Sequence, residues 1–371
     1  MEIVVTAYED ELERTKKILA DPAGTIPALF FGSVDRLICK IFRRKKPFPW
    51  WVSALVLALA SQAPTLIITY FFNEIQRWEK YKLGYIWMGY ILLGLSATII
   101  ARFGIFYLFS SLNKYIVGTI QKKEDLRDLQ KILREVWLRE GSIKKATYFT
   151  ITFTAFWCVS FSSIYANYLG VNFIGYGLFS GTIIFGLLTA PALYMEAWFF
   201  LFILHIGRYK FRLNETAPVY SETVQRISRT LSILLYSFAI FIAFATAAVS
   251  VNPKTGGFNL DLVLLVSLIG GFPTTIYFIG SQVSINRIIT SAKWRTLSRV
   301  HDEIEKLHNG DLTDEKNIEA INRLMNYHER IRMTPDSTLT VGTGLNFINQ
   351  LALPFIGVIL ASIEKIRNFF P

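Results

Sequence analysis

Six apolar runs of about twenty residues or more divide this chain, and no other feature limits its fold so sharply. They fall at about Trp50–Phe72, Leu83–Leu112, Thr147–Tyr168, Ile174–Ile206, Leu231–Val251 and Leu262–Asn286. A helix of roughly twenty residues rises about 30 Å, the thickness of a bilayer's hydrocarbon core. Lipid offers no partner to a backbone N–H or C=O, so each run must satisfy its own hydrogen bonds as a helix. Charged residues make up 18% of the chain, against roughly 25% in an ordinary soluble domain. The pattern predicts an all-α, polytopic helical membrane protein with six spans and helical cytosolic arms. A seventh apolar stretch, Leu345–Ala361, is short and carries Asn346, Asn349, Gln350 and Pro354. It reads as a polar span, a re-entrant segment or a helix on the surface.

The net charge of +11 acquires meaning once it is placed by segment. Arg43, Arg44, Lys45 and Lys46 stand directly before the first span, and the loops at 113–146 and 207–230 are rich in Lys and Arg. The alternate loops are poor in both, with Lys254 alone in the last of them. Positive loops stay on the cytosolic side. The expected location is therefore a cell membrane (the inner membrane, if bacterial), with the N-terminus cytosolic. The acidic-then-basic start, MEIVVTAYEDELERTKK, lacks the apolar core of a cleaved signal.

Four regions follow. Residues 1–49 form a cytosolic, amphipathic, basic arm. In it Leu29, Phe30, Val34, Leu37, Ile38 and Ile41 fall near one helical face. That face suits the inner leaflet, with Arg43–Lys46 on anionic lipid headgroups, or else the protein's own loops. Residues 50–286 hold the spans. In the 113–146 loop, Leu126, Leu129, Leu133 and Val136 predict a helix stopped by Gly141. Residues 287–344 predict an αα-hairpin, with Leu297, Val300, Ile304 and Leu307 on one helix and Ile318, Ile321 and Met325 on the other, ended by Thr334-Pro335. Residues 345–371 are the C-terminal hydrophobic segment.

Enzyme signatures are missing: there is no HExxH, phosphate loop or dinucleotide fingerprint. No catalytic residue, cofactor or metal is assigned. His301, Glu305 and His308 share a helical face, but Asp302, Glu303 and Lys306 surround them, so they read as a solvated surface. Cys39 and Cys158 read as small apolar residues.

Two groups of buried-type polar residues are candidates for function. Glu196 lies within ALYMEAWFFLFILH, about ten residues from the expected cytosolic end. Thr182, Gly186 and Thr189 precede it on the same face. An unpaired acid near the midplane is expensive. Arg102, at similar depth in the second span, is the expected partner unless both charges sit at the inner interface. In the sixth span, Thr275, Gln282 and Asn286 are spaced seven and four, with Thr274, Ser281 and Ser284 beside them. Such a strip lines a water path or bonds neighbouring helices.

These features favour an oligomeric pore or ion channel, gated through its basic cytosolic helices. Arg208, Lys210 and Arg212 in GRYKFR, with Arg295 and Arg299 in WRTLSR, mix charge with aromatic surface. They are candidates to meet lipid headgroups, a cytosolic nucleotide or oligonucleotide, or a partner protein. The alternative is a secondary transporter with a 3+3 inverted repeat, suggested by APTLIITYFF at 63–72 and APALYMEAWF at 190–199. Its site would lie at Glu196. A membrane scaffold is a third class. In outline, six spans with basic helical cytosolic arms resemble the membrane effectors of bacterial phage-defence systems, which open the inner membrane when a nucleotide-type signal changes. The likeness is one of outline, and it transfers no functional residue.

Overall fold

A computed structural model describes residues 2–46, 48–73, 75–80, 91–92, 94–96, 98–169, 173–249, 260–309 and 315–338. The elements within them are helical. They are α1 (Glu2–Ala20), α2 (Ile26–Ile41), α3 (Trp50–Phe71), α4 (Ile75–Lys80), α5 (Ile105–Ser111), α6 (Lys123–Ile132), α7 (Arg139–Leu169), α8 (Phe173–Ile206), α9 (Glu222–Val249), α10 (Leu260–His308) and α11 (Glu315–Met333). Widened π-helical turns at Ile100–Gly104 and Leu112–Ile116 flank α5. Isolated backbone bridges join Thr25 to Leu138 and Ile120 to Phe211.

Two kinds of packing meet in the chain. Around Trp137 the core is apolar and aromatic. Its indole is fully enclosed, with ring centroids 5.8 Å from Phe109 and 5.1 Å from Phe202. Leu19, Leu112, Ile116, Ile120 and Phe211 complete this core, so α1, the α5 region, the end of α8 and the loop behind it share one base. α1 is fastened to α6 by a buried polar group. Glu11 accepts from Arg127 Nε (2.9 Å) and from Gln130 Nε2 (3.1 Å), and Gln130 also donates to Thr15 Oγ1 (2.9 Å). Arg127 and Gln130 together hold the Glu11 carboxyl below the usual carboxylate range, against the opposing effect of burial.

Where α3, α7, α8, α9 and the first half of α10 pack on one another, buried apolar residues such as Leu57, Phe238 and Tyr277 share the interior with polar ones. Gln62, Thr65 and Thr69 of α3, Thr154 of α7, Thr189 of α8 and Thr274 of α10 are buried. Other large apolar side chains point outward: Leu66, Ile67 and Phe71 on α3, Phe156 and Val159 on α7, Leu187 and Leu201 on α8, Phe272 and Ile279 on α10.

By length and composition, one helix among the described residues, Glu222–Ala243, is long and apolar enough to cross a membrane. Ala54–Ala60 and Gln62–Phe71, bent by 45°, make a second if they are taken as one broken span. Pro64 explains the bend, since it removes a backbone donor and crowds the carbonyl four residues earlier. The expected spans at 83–112, 147–168, 174–206 and 262–286 lie in part outside the described residues. The stretch 345–361 lies outside them altogether.

Three local expectations change. The helix of the 113–146 loop ends before Gly141, in a π-helical turn at Leu133–Trp137. Leu138 is then extended and pairs with Thr25. Gly141 instead sits in the first turn of α7, where an added Cβ would stand 2.7 Å from the Arg134 carbonyl oxygen. Its role is close approach rather than termination. The apolar face of α2 also splits in two. Phe31 and Ile38 are buried against the protein, while Leu37, Ile41 and Phe42 stay exposed beside the exposed Arg43–Lys46. Finally, the first helix of the expected hairpin is not separate. It is the second half of α10, a helix of 49 residues that runs unbroken through Gly270, Gly271 and Pro273. α11 folds back on it, with Ile331 fully buried. Lys293 closes the hairpin, donating to the carbonyls of Arg332 (2.8 Å) and Thr334 (2.7 Å) and to Asp336 Oδ1 (2.8 Å).

Candidate functional site

The polar strip of α10 lies inside the chain. Thr274 and Ser284 are fully enclosed, Ser281 and Gln282 are buried, and Thr275 and Asn286 are half-buried. Ser281 donates to the Tyr277 carbonyl at 2.7 Å. It faces an apolar seam formed by Phe199, Ile203, Leu234 and Phe238. Ser284 packs on Gly207, where an added Cβ would lie 2.9 Å from the Ser284 Cα. Only glycine lets these two backbones approach so closely.

Three side-chain oxygens of the strip are buried without a hydrogen-bond partner: Gln282 Oε1, Ser284 Oγ and Asn286 Oδ1. An unsatisfied buried acceptor costs about 1–3 kcal/mol. Gln282 and Asn286 are four residues apart, so they share a helical face with Thr275. The face that the sequence singled out therefore carries two unpartnered amide oxygens.

The stripe behind Glu196 is a packing surface. Thr189 is buried, and Gly186 lies against Thr154 of α7, where a Cβ would come within 3.1 Å. Glu196 sits on α8 and Arg102 in the π-helical turn before α5. Their side chains, like that of Thr182, lie outside the described residues, and so does the expected pairing.

A second site forms at the base. The bridge between Ile120 and Phe211 brings the segment before α6 beside the loop after α8. Gln121 N–H donates to the Lys210 carbonyl (2.7 Å) and Arg212 N–H to the Thr119 carbonyl (2.6 Å). Acids of α6 hold the loop. Asp125 Oδ2 accepts from the Lys210 backbone N–H (2.8 Å) and Asp128 Oδ2 from the Tyr209 hydroxyl (3.0 Å). Burial, reinforced by Asp128 and Asp125, drives the Tyr209 phenol far above its ordinary range, so it remains a neutral donor. α10 joins from the third side. Arg295 Nη1 donates to Gln121 Oε1 (2.9 Å) and Arg299 Nη1 to Glu215 Oε1 (2.8 Å). Lys210, Arg295 and Arg299 are thus neighbours. Crowding by Lys122, and less by Arg295, lowers the Lys210 ammonium below its usual range, while burial and Arg299 lower Arg295.

Other basic candidates stand apart in role. Arg208 and Arg212 are exposed, and Arg212 acts on the Tyr8 phenol of α1. Arg44 stacks its guanidinium over Phe48 at 4.5 Å. The aromatic residues of GRYKFR are not available for stacking, because Tyr209 and Phe211 belong to the buried core. In WRTLSR the indole of Trp294 is 65% exposed. His301, Glu305 and His308 are exposed.

Sequence reasoning passed over Lys122, because the partner that makes it matter arrives through a single backbone bridge. It also passed over Gln62, Thr65 and Thr69, although their spacing of three and four was visible. No known protein family, curated protein or solved structure matches this chain.

Proposed function

We propose that this protein is an integral membrane protein of six spans, with its N-terminus cytosolic, and that copies of it assemble into a pore. The face Thr275–Gln282–Asn286, closed inside the chain in this structure, would open onto the conduit when the cytosolic base shifts α10. The observation that carries this reading is the pair of unpartnered amide oxygens on α10. Acceptors that the chain's own groups leave unsatisfied are suited to water, a permeating cation or a neighbouring copy. The outward-facing apolar side chains of α3, α7, α8 and α10 support a lipid setting, since a surface of that kind is costly in water. Continuity of α10 from the strip to Arg299 supports coupling to the base.

Ion flux through purified protein in liposomes tests the proposal. Gln282→Leu removes one ligating oxygen, worth about 1 kcal/mol, so flux should fall by roughly fivefold. Unchanged flux would sink α10 as the lining.

A further inference from the structure

Four cations converge where three separate segments meet. Lys122 precedes α6, Lys210 follows α8, and Arg295 and Arg299 lie one turn apart on α10. Gln121, the neighbour of Lys122, donates its backbone N–H to the Lys210 carbonyl and takes Arg295 Nη1 on its side chain. Lys122, Lys210 and Arg295 are therefore held close, and the charge of Lys122 lowers the Lys210 ammonium. Three carboxylates lie among these groups, one fewer than the cations: Asp128 takes the Tyr209 hydroxyl, and the charge of Asp125 is shared between Lys210 and Arg295. Asp125 accepts from the Lys210 backbone, and Glu215 pairs with Arg299. Positive charge is therefore left over at one point, on groups anchored from three directions. Lys122 and Arg299 are exposed, so the point is open to solvent.

Like charges pressed together at a fixed site are stabilised by an anion that bridges them. Lysines supply point charges and arginine a planar fork, a combination matched by the several oxygens of a phosphate. A single carboxylate offers too few acceptors to serve three directions at once. We propose that this junction binds a multiply charged phosphate anion, held between Lys122 and Lys210 and contacted by Arg295. Such an anion would tie α10 to the segments before α6 and after α8. The exposed Trp294, next to Arg295, is placed to stack on a base if the phosphate belongs to a nucleotide.

This inference goes beyond the pore reading and is measured without flux, so either can fail alone. The test is a titration of the full chain, purified in detergent at low salt, with inorganic triphosphate, followed by calorimetry. Saturable binding is expected. Lys122→Ala/Arg295→Ala should weaken it by at least about tenfold, the loss of one or more charge-assisted contacts. Lys16→Ala/Lys17→Ala, on the exposed side of α1, should leave it unchanged. Repeating the titration in nanodiscs of neutral lipid and of lipid containing phosphatidylglycerol separates the two sources of phosphate. If headgroups fill the site, triphosphate binds more weakly in anionic discs for the wild type but not for the double variant. If the ligand is soluble, the two discs agree, and ATP binding tighter than triphosphate, with the excess lost in Trp294→Ala, identifies a nucleotide. Absence of saturable binding, or equal affinity in wild type and double variant, would overturn the proposal.

Discussion

The base and the helical region above it share one apolar core but differ in what they bury beside it and what they turn outward. In the base, apolar side chains converge on Trp137 and charged ones face outward. Above it, Thr, Ser and Gln are buried between helices beside apolar side chains such as Leu57 and Phe238, while other Phe, Leu, Ile and Val side chains face out. Water drives the first arrangement, because burying apolar area is favourable there. In the lipid setting proposed above, the second would gain nothing from hiding apolar area. It relies on close approach, as at Gly207–Ser284 and Gly186–Thr154, and on hydrogen bonds between helices. The contrast teaches that burial alone does not define a core. Which side is apolar reports the solvent.

The comparison breaks if Trp137→Ala is tolerated. That change empties the centre of the base and should cost about 3–5 kcal/mol, read as a lowered denaturation midpoint in detergent with helicity above the base retained. Next comes Val159→Arg, at a side chain 72% exposed on α7. In a bilayer a central arginine costs about 2.5–3.5 kcal/mol, so membrane-inserted protein should fall sharply. Normal insertion would mean that α7 faces water.

A third change sharpens the account of the base. Glu11→Gln removes the charge that Arg127 and Gln130 hold between α1 and α6, at a cost of about 1–3 kcal/mol. Because the folded-state pKa of Glu11 is lowered from its ordinary value of 4.5, its contribution is complete above that pH. It is lost as pH falls through the lowered folded value. Unfolding curves of wild type and variant should therefore converge in acid and separate above about pH 5. Smallest is Lys16→Glu, exposed on α1, expected within about 0.5 kcal/mol. Set against Val159→Arg, it measures how differently the two surfaces treat an altered charge.

Helical content was legible from apolar run length, since twenty residues without a charge leave the backbone few alternatives. The polar face of α10 was legible from its seven-and-four spacing. Its burial within one chain was not, because periodicity gives a direction without naming what lies there. Gly141 was misread for a related reason. A glycine at a helix edge signals either an end or a close approach, and only the position of Arg134 decides between them. The cationic junction was half legible. Lys210, Arg295 and Arg299 stood out by composition, but Lys122 joins them through a bridge of one residue pair, which leaves no periodic trace. The π-helical turns at Ile100–Gly104 and Leu112–Ile116 leave no mark in the apolar run, because hydropathy is blind to a helix that widens.

The 49-residue α10 has one further consequence. Its close approach to Gly207, at Ser284, falls at its midpoint, so it can act as a fulcrum. Arg295 lies eleven residues to one side and Thr275 nine to the other, about 16 Å and 14 Å at 1.5 Å per residue. The arms of this lever are nearly equal. A sideways shift imposed at the cationic junction would return at Thr275 with almost the same size and the opposite direction. Gln282 and Asn286, close to the pivot, would mainly rotate in place.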